Sequence, residues 1–173
     1  MDLLDFETES LYFDRPMAEE AKRCLELASQ HYGESDAEFA LMRAYFLEPE
    51  NLSVLVALYR FYYYQHRFED TGIVAERVLI LVGNQLSFPA NWNQLSNPEC
   101  ERQAQTNMPL VSFYLLALKG SGFVDMRLGD FSQAALKFKK LKELDPLDRL
   151  RSEALLQFVE THHSLAENDN LTN

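Results

Sequence analysis

The stretch Arg127-Leu128-Gly129-Asp130-Phe131-Ser132-Gln133-Ala134-Ala135-Leu136-Lys137-Phe138-Lys139-Lys140-Leu141, closed by Leu144-Asp145-Pro146, decides the fold. Ala134/Ala135, Phe138, Leu141 and Leu144 recur at three- and four-residue spacing, which lays one apolar stripe along a helix. Gly129-Asp130 supplies the turn before it and Pro146 stops it. The same spacing recurs upstream in Ala18, Ala21, Cys24/Leu25, Ala28, and again in Phe39, Leu41/Met42, Tyr45/Phe46, with Asp36 placed to cap that helix. Leu52, Leu55, Leu58/Tyr59, Tyr62 and then Ile73/Val74, Val78, Ile80/Leu81 continue the series, and Leu150, Leu155, Phe158 end it. No segment alternates with the period of a strand. The chain reads as all-α.

The helices come in pairs. Pro49 closes one pair and Gly83, 34 residues on, closes the next, while Pro146 closes a third. A 34-residue period of helix–turn–helix units resembles the tetratricopeptide repeat. The third unit resembles it most, with Gly129, Phe131, Ala134, Phe138, Leu141 and Pro146 in the family's pattern and Gly122 where the first helix needs a small residue. In the middle unit Leu55, Leu58, Tyr62, Phe68, Ala75 and Val78 fall on core positions, and the first unit keeps Ala37, Leu41, Ala44 and Pro49. The resemblance implies a right-handed α-α superhelix of about three hairpins, in units of about 16–49, 50–83 and 110–148, with a C-terminal capping helix over 149–166. Residues 1–15 read as an acidic N-terminal tail and 167–173 as a polar C-terminal one.

Departures from the pattern locate the irregularities. Tyr59 stands where the family has Gly or Ala, which implies looser or shifted packing, and Thr71 replaces an Ala. Asp125 stands in a slot for an aromatic, so it needs a partner, Lys137 or Arg151, or else a rotated helix. Residues 84–109 interrupt the array. They read as a loop over 84–97 followed by a helix capped by Asn97 with Pro98 at its first position. Phe88 and Trp92 in that loop are expected to dock near Tyr59 or to close over a groove as a lid.

Composition excludes several classes. The 173 residues carry 16 basic and 27 acidic side chains, net −11, so a phosphate backbone is repelled and nucleic acid is not an expected partner. Of that charge, −9 falls in residues 1–83. An apolar content of 47% is too high for a disordered chain, and no apolar run is long enough for a membrane helix. Cys24 and Cys100 form neither a disulfide framework nor a metal motif, and no secretory signal is apparent, so a cytoplasmic location is expected and the sequons at Asn51 and Asn170 carry no meaning.

Catalytic signals are weak. His31, His66, His162 and His163 are scattered and accompany no nucleophile motif. Cys24 lies on an apolar stripe and reads as core. Glu160, His163 and Glu167 share a helix face, but the second such motif that a di-metal bundle needs is missing. No cofactor, no metal and no catalysis are expected.

The resemblance instead implies a peptide-binding groove lined by the first helices of the repeats. Carried over position by position, it comprises Lys22, Glu26 and Ser29, then Ser53, Val56, Arg60, Tyr63 and Tyr64, then Lys119, Phe123, Met126 and Arg127. Aromatic and aliphatic groups with several cations suit a peptide having apolar anchors and some negative charge. Family members that clamp a C-terminal carboxylate use a Lys, two Asn and further bases. Lys22 matches, but Glu26, Ala57, Leu116 and Gly120 do not. The expected function is therefore a non-catalytic adaptor or chaperone binding a segment of another protein. The alternatives are a subunit that self-assembles, for instance as a homodimer through Tyr63 and Tyr64, and a chaperone resembling those of type III secretion translocators.

Overall fold

The computed structural model of the chain describes residues 16–31 and 35–171, with side chains as far as residue 162. Among these residues there are seven α-helices and no strand. They are α1 (Glu19–Gln30), α2 (Ser35–Leu47), α3 (Leu52–Tyr64), α4 (Phe68–Gln85), α5 (Asn97–Leu128), α6 (Phe131–Leu144) and α7 (Glu153–Leu171), with one 3-10 turn at Trp92–Gln94. Each helix packs chiefly on the helices before and after it in sequence. The expected tail 1–15 lies outside the described residues, as do 172–173, whereas 167–171 continue α7.

Local chemistry explains most boundaries. The Asn51 side chain accepts the Ser53 N–H at 3.0 Å and starts α3. The turn into α4 places His66 at φ 57°, and the turn into α6 places Gly129 at φ 83°. These residues are 63 apart, as are Phe68 and Phe131, which open the following helices, so both hairpins turn through one left-handed residue. After α6 two aspartates build the bend. Buried Asp145 accepts from the Leu150 N–H and Arg149 Nε, both at 2.9 Å, while Asp148 accepts from the N–H groups of Ser152 and Glu153. The capping helix thus begins at Glu153 rather than at Arg149.

Other expectations need correcting. Asp36 lies inside the first turn of α2 rather than before it. Ser96, not Asn97, precedes α5, and the Glu99 carboxylate accepts from its N–H at 3.0 Å and its hydroxyl at 2.6 Å. That reciprocal pair is a capping-box arrangement. The connection after α4 is shorter than 84–97, because α4 runs on to Gln85. Within α5 the backbone leaves helical geometry at Asn107, two residues before Pro109, whose ring and missing N–H break the ladder. Asn107 Oδ1 then accepts the Leu110 N–H at 3.3 Å and restarts the helix.

The core is continuous from Cys24 and Ala28 to Leu156 and Val159. In α2 it takes up Ala37, Ala40, Leu41 and Ala44, leaving Phe39 and Phe46 of the expected stripe 72% and 85% exposed. In α4 it takes up Val74, Ala75, Val78 and Leu79, leaving Ile73 and Ile80 outside. At the α5–α6 crossing Gly122 is required. A Cβ there would lie 2.9 Å from the Phe138 ring and 3.2 Å from the Lys137 Cβ.

Candidate functional site

The α3–α5 face is assembled around Tyr59. Rather than loosening the packing, this side chain is fully buried, with its hydroxyl 3.4 Å from the Gly120 carbonyl oxygen. Tyr63, one turn on, stacks on Tyr59 at 6.3 Å and meets Phe123 of α5 at 6.2 Å and Phe68 of α4 at 5.8 Å. Arg127 places its guanidinium 4.5 Å from the Phe68 ring centre, a cation–π contact. Tyr64, more than half exposed, stands edge-on to Tyr63. Arg60 and Met126 are half-buried beside this cluster on the same helices.

The twelve groove residues are thus only partly brought together. Tyr63, Tyr64, Phe123 and Arg127 form one aromatic and cationic surface. Val56 and Lys119 do not line it, being only 1% and 6% exposed. Ser53 is half-buried in the first turn of α3. Lys22, Glu26 and Ser29 are exposed on α1, whose main neighbour is α2, and the Ser29 hydroxyl turns back to the Glu26 carbonyl at 2.7 Å.

The insertion is part of the core. Phe88 is buried, edge-on to Tyr114 at 5.1 Å, and not beside Tyr59. Leu95 is fully buried, and Lys140 of α6 donates to its carbonyl at 3.1 Å. Half-buried Trp92 packs against the same core. A lid must lift at small cost, and a segment holding three buried side chains, Leu86, Phe88 and Leu95, and a lysine-capped carbonyl does not.

Behind the aromatic surface lies a charged cluster. Lys137 of α6, nearly enclosed, sits 2.9 Å from Asp125 Oδ2, 3.0 Å from Glu76 Oε1 and 2.6 Å from Ser121 Oγ. Asp125 thus has Lys137 as its partner, not Arg151. Burial raises the Asp125 pKa above its ordinary value, and Lys137 offsets part of that rise. Ser121 beside Lys137 superficially resembles a nucleophile and its base. Lys137 is already shared by two carboxylates, however, and Ser121 is 2% exposed, so no substrate reaches it. Burial also pushes the Cys100 thiol up to about 11, away from nucleophilic use. Among the described residues no group of three His, Cys, Asp or Glu side chains could hold a metal ion, and no helix is long and apolar enough to cross a membrane. His163 and Glu167 fall outside the described side chains.

A protein of Azotobacter chroococcum mcd 1, described as the uncharacterized 19.8 kDa protein in the nifW 5' region, is 44% identical over 162 residues. The alignment covers 94% of this chain and 90% of that one. The chain belongs to the family of that protein. No family profile matches the chain, and no solved structure matches it. Membership of this 19.8 kDa protein family extends over nearly the whole helical array, including α3, α5 and the segment between α4 and α5.

Proposed function

We propose that this family member is a non-catalytic protein-binding module of tetratricopeptide-repeat type. In this reading α1/α2, α3/α4 and α5/α6 are three hairpins of a right-handed superhelix, α7 is its cap, and a peptide segment of a cytoplasmic partner lies on the α3–α5 face. The observation that carries it is the Tyr63–Phe123 contact, which joins two helices into one aromatic floor with Tyr64 exposed on it and Arg127 beside it. Rigid aromatics supply contact area at low entropic cost, and arginine adds charge complementarity to an acidic residue. Because the relative is described by its place upstream of nifW, proteins encoded in the corresponding region are the first partners to try.

The test is capture of the partner from the cells that make this protein, followed by affinity measurement with the Arg60→Glu/Arg127→Glu double variant. Binding should fall at least tenfold while the variant stays folded, and wild-type binding should weaken with salt as the charges are screened. Undiminished affinity in the folded double variant overturns the site.

A further inference from the structure

A second surface lies on another side of α3. This helix forms the floor of a cleft of about 160 Å³, with Met42 of α2 on one wall and Asp70, Ile73, Val74 and Arg77 of α4 on the other. The rim continues along both walls. Phe39, Met42 and Phe46 follow one another on α2 at helical spacing, and Ile73 and Ile80 do so on α4, all at least 46% exposed. The two phenyl groups alone hold out roughly 300 Å². Five large exposed apolar side chains around one cleft mark an interaction surface.

The charges in the cleft are of both signs. Asp70 and Arg77 line it together, two turns apart on one side of α4. Arg77 meets only Glu50, at a loose 3.7 Å, and its side chain is 37% exposed. Asp70 gives Oδ2 to Arg67 Nε at 2.8 Å, and its other carboxylate oxygen has no partner among the described residues. An occupant must therefore set a cation against Asp70 and an anion against Arg77, in the reverse order along its length. A second copy of α4 running antiparallel does this.

The other wall has the matching property. Asp70 and Arg77 are equidistant from the Ile73–Val74 step of α4, and Phe39 and Phe46 are equidistant from the Met42–Arg43 step of α2. Both steps stand at the cleft, since Met42 lines one wall and Ile73 and Val74 the other. The two helices run the same way, because α3 returns between them through two short turns. One two-fold axis crossing the cleft at that level therefore sets Asp70 against Arg77 of the second copy and Phe39 against its Phe46. Each contact occurs twice, as an interface between identical patches requires. With Met42, Ile73 and Ile80 included, two copies hide on the order of 1,000 Å², where specific interfaces begin. We propose that the α2–α3–α4 face is a two-fold interface between two copies of this chain, built on those apolar and charged pairs. The α3–α5 face stays open in such a dimer.

Sedimentation equilibrium of the full chain should show a reversible dimer at physiological salt, which screens the repulsion between two chains of net charge −11. Phe46→Asp changes a side chain that is 85% exposed, so the chain still folds, and association should weaken at least tenfold. Arg77→Asp and Asp70→Arg should each weaken it as well, because each sets like charges against one another twice. An equimolar mixture of those two variants should dimerise again, since both cross-pairs are then opposite in sign. Circular dichroism establishes that the charge variants are folded; if they are not, Phe46→Asp alone decides. Three results overturn the inference. The first is a wild-type chain still monomeric at millimolar concentration, which gives the face to another segment of the chain or to a different protein. The second is a dimer that Phe46→Asp leaves intact, which belongs to another face such as Tyr63 and Tyr64. The third is folded charge variants that stay dissociated when mixed. No peptide takes part in these measurements, so their failure is separate from failure of the α3–α5 reading.

Discussion

Tyr59 of α3 donates its buried hydroxyl to the carbonyl oxygen of Gly120 in α5, across 3.4 Å. A large side chain thereby fills a position where the repeat pattern has a small one, and it sets the separation of the two helices that form the proposed binding face. Tyr59→Phe should cost about 1 kcal/mol, the net worth of one hydrogen bond. Tyr59→Ala should cost about 3–5 kcal/mol as a cavity. Denaturant unfolding checks both. A stable Tyr59→Ala variant would mean that the helices close up without it.

Gly122→Ala should destabilise the protein by about 1–3 kcal/mol through overpacking, since the added methyl meets the Phe138 ring and the Lys137 Cβ. Fully buried Ala134 and Ala44 have no more room, and Trp at either should abolish the folded state. Unaltered melting temperatures would contradict the packing.

Lys137→Met should be strongly destabilising. Removing one member of a buried ion pair costs about 3–5 kcal/mol, and the lower end applies because Glu76 keeps contact with water. Adding Asp125→Leu should recover part of the loss, since the two substitutions share one interaction and are not additive. A thermal-melt double-mutant cycle measures the coupling.

Stability should decline on the alkaline side. Burial raises the Cys100 thiol to about 11 and the Tyr114 phenol to about 12, from ordinary values of 9.0 and 10.0. Above the ordinary values the unfolded chain releases protons that the native protein still holds, so unfolding becomes easier as pH rises. The contribution is fully present below pH 9.0 and is lost through the two raised values. Urea midpoints measured against pH should fall in that window, and Tyr114→Phe should flatten the upper part of the decline.

Phe88→Ala should cost about 3 kcal/mol in denaturant unfolding, within the range for emptying a buried aromatic site. A removable cover would lose almost nothing, so the magnitude distinguishes a fixed strap from a lid.

Helix type was legible because apolar spacing carries it, and the resemblance to a repeat pattern implied a small residue at Gly122 and a partner for Asp125. What spacing does not reveal is which edge of a broad apolar stripe turns inward. Phe39, Phe46, Ile73 and Ile80 belong to stripes of correct period, yet α2 seats its alanines against the core and turns its phenylalanines out. Only the neighbouring helix decides that. Burial of Val56 and Lys119 likewise depends on how neighbouring helices are seated, which spacing alone does not carry. The Ser96–Glu99 pair was readable as Ser-x-x-Glu but was masked by the Asn97-Pro98 that follows it.

Helices that pack chiefly on their sequence neighbours also govern how the molecule forms. Most of its contacts close short loops, whose entropy cost is small, so the chain should fold fast for its length. The exceptions are Tyr59 to Gly120 and Glu76 to Lys137, each 61 residues apart, and the strap after α4, where Lys140 must find the Leu95 carbonyl, 45 residues earlier, with the kinked α5 between them. That closure waits until α5 and α6 are docked. A late step in refolding should therefore be seen by Trp92, which stands in the strap, after most helix content has formed.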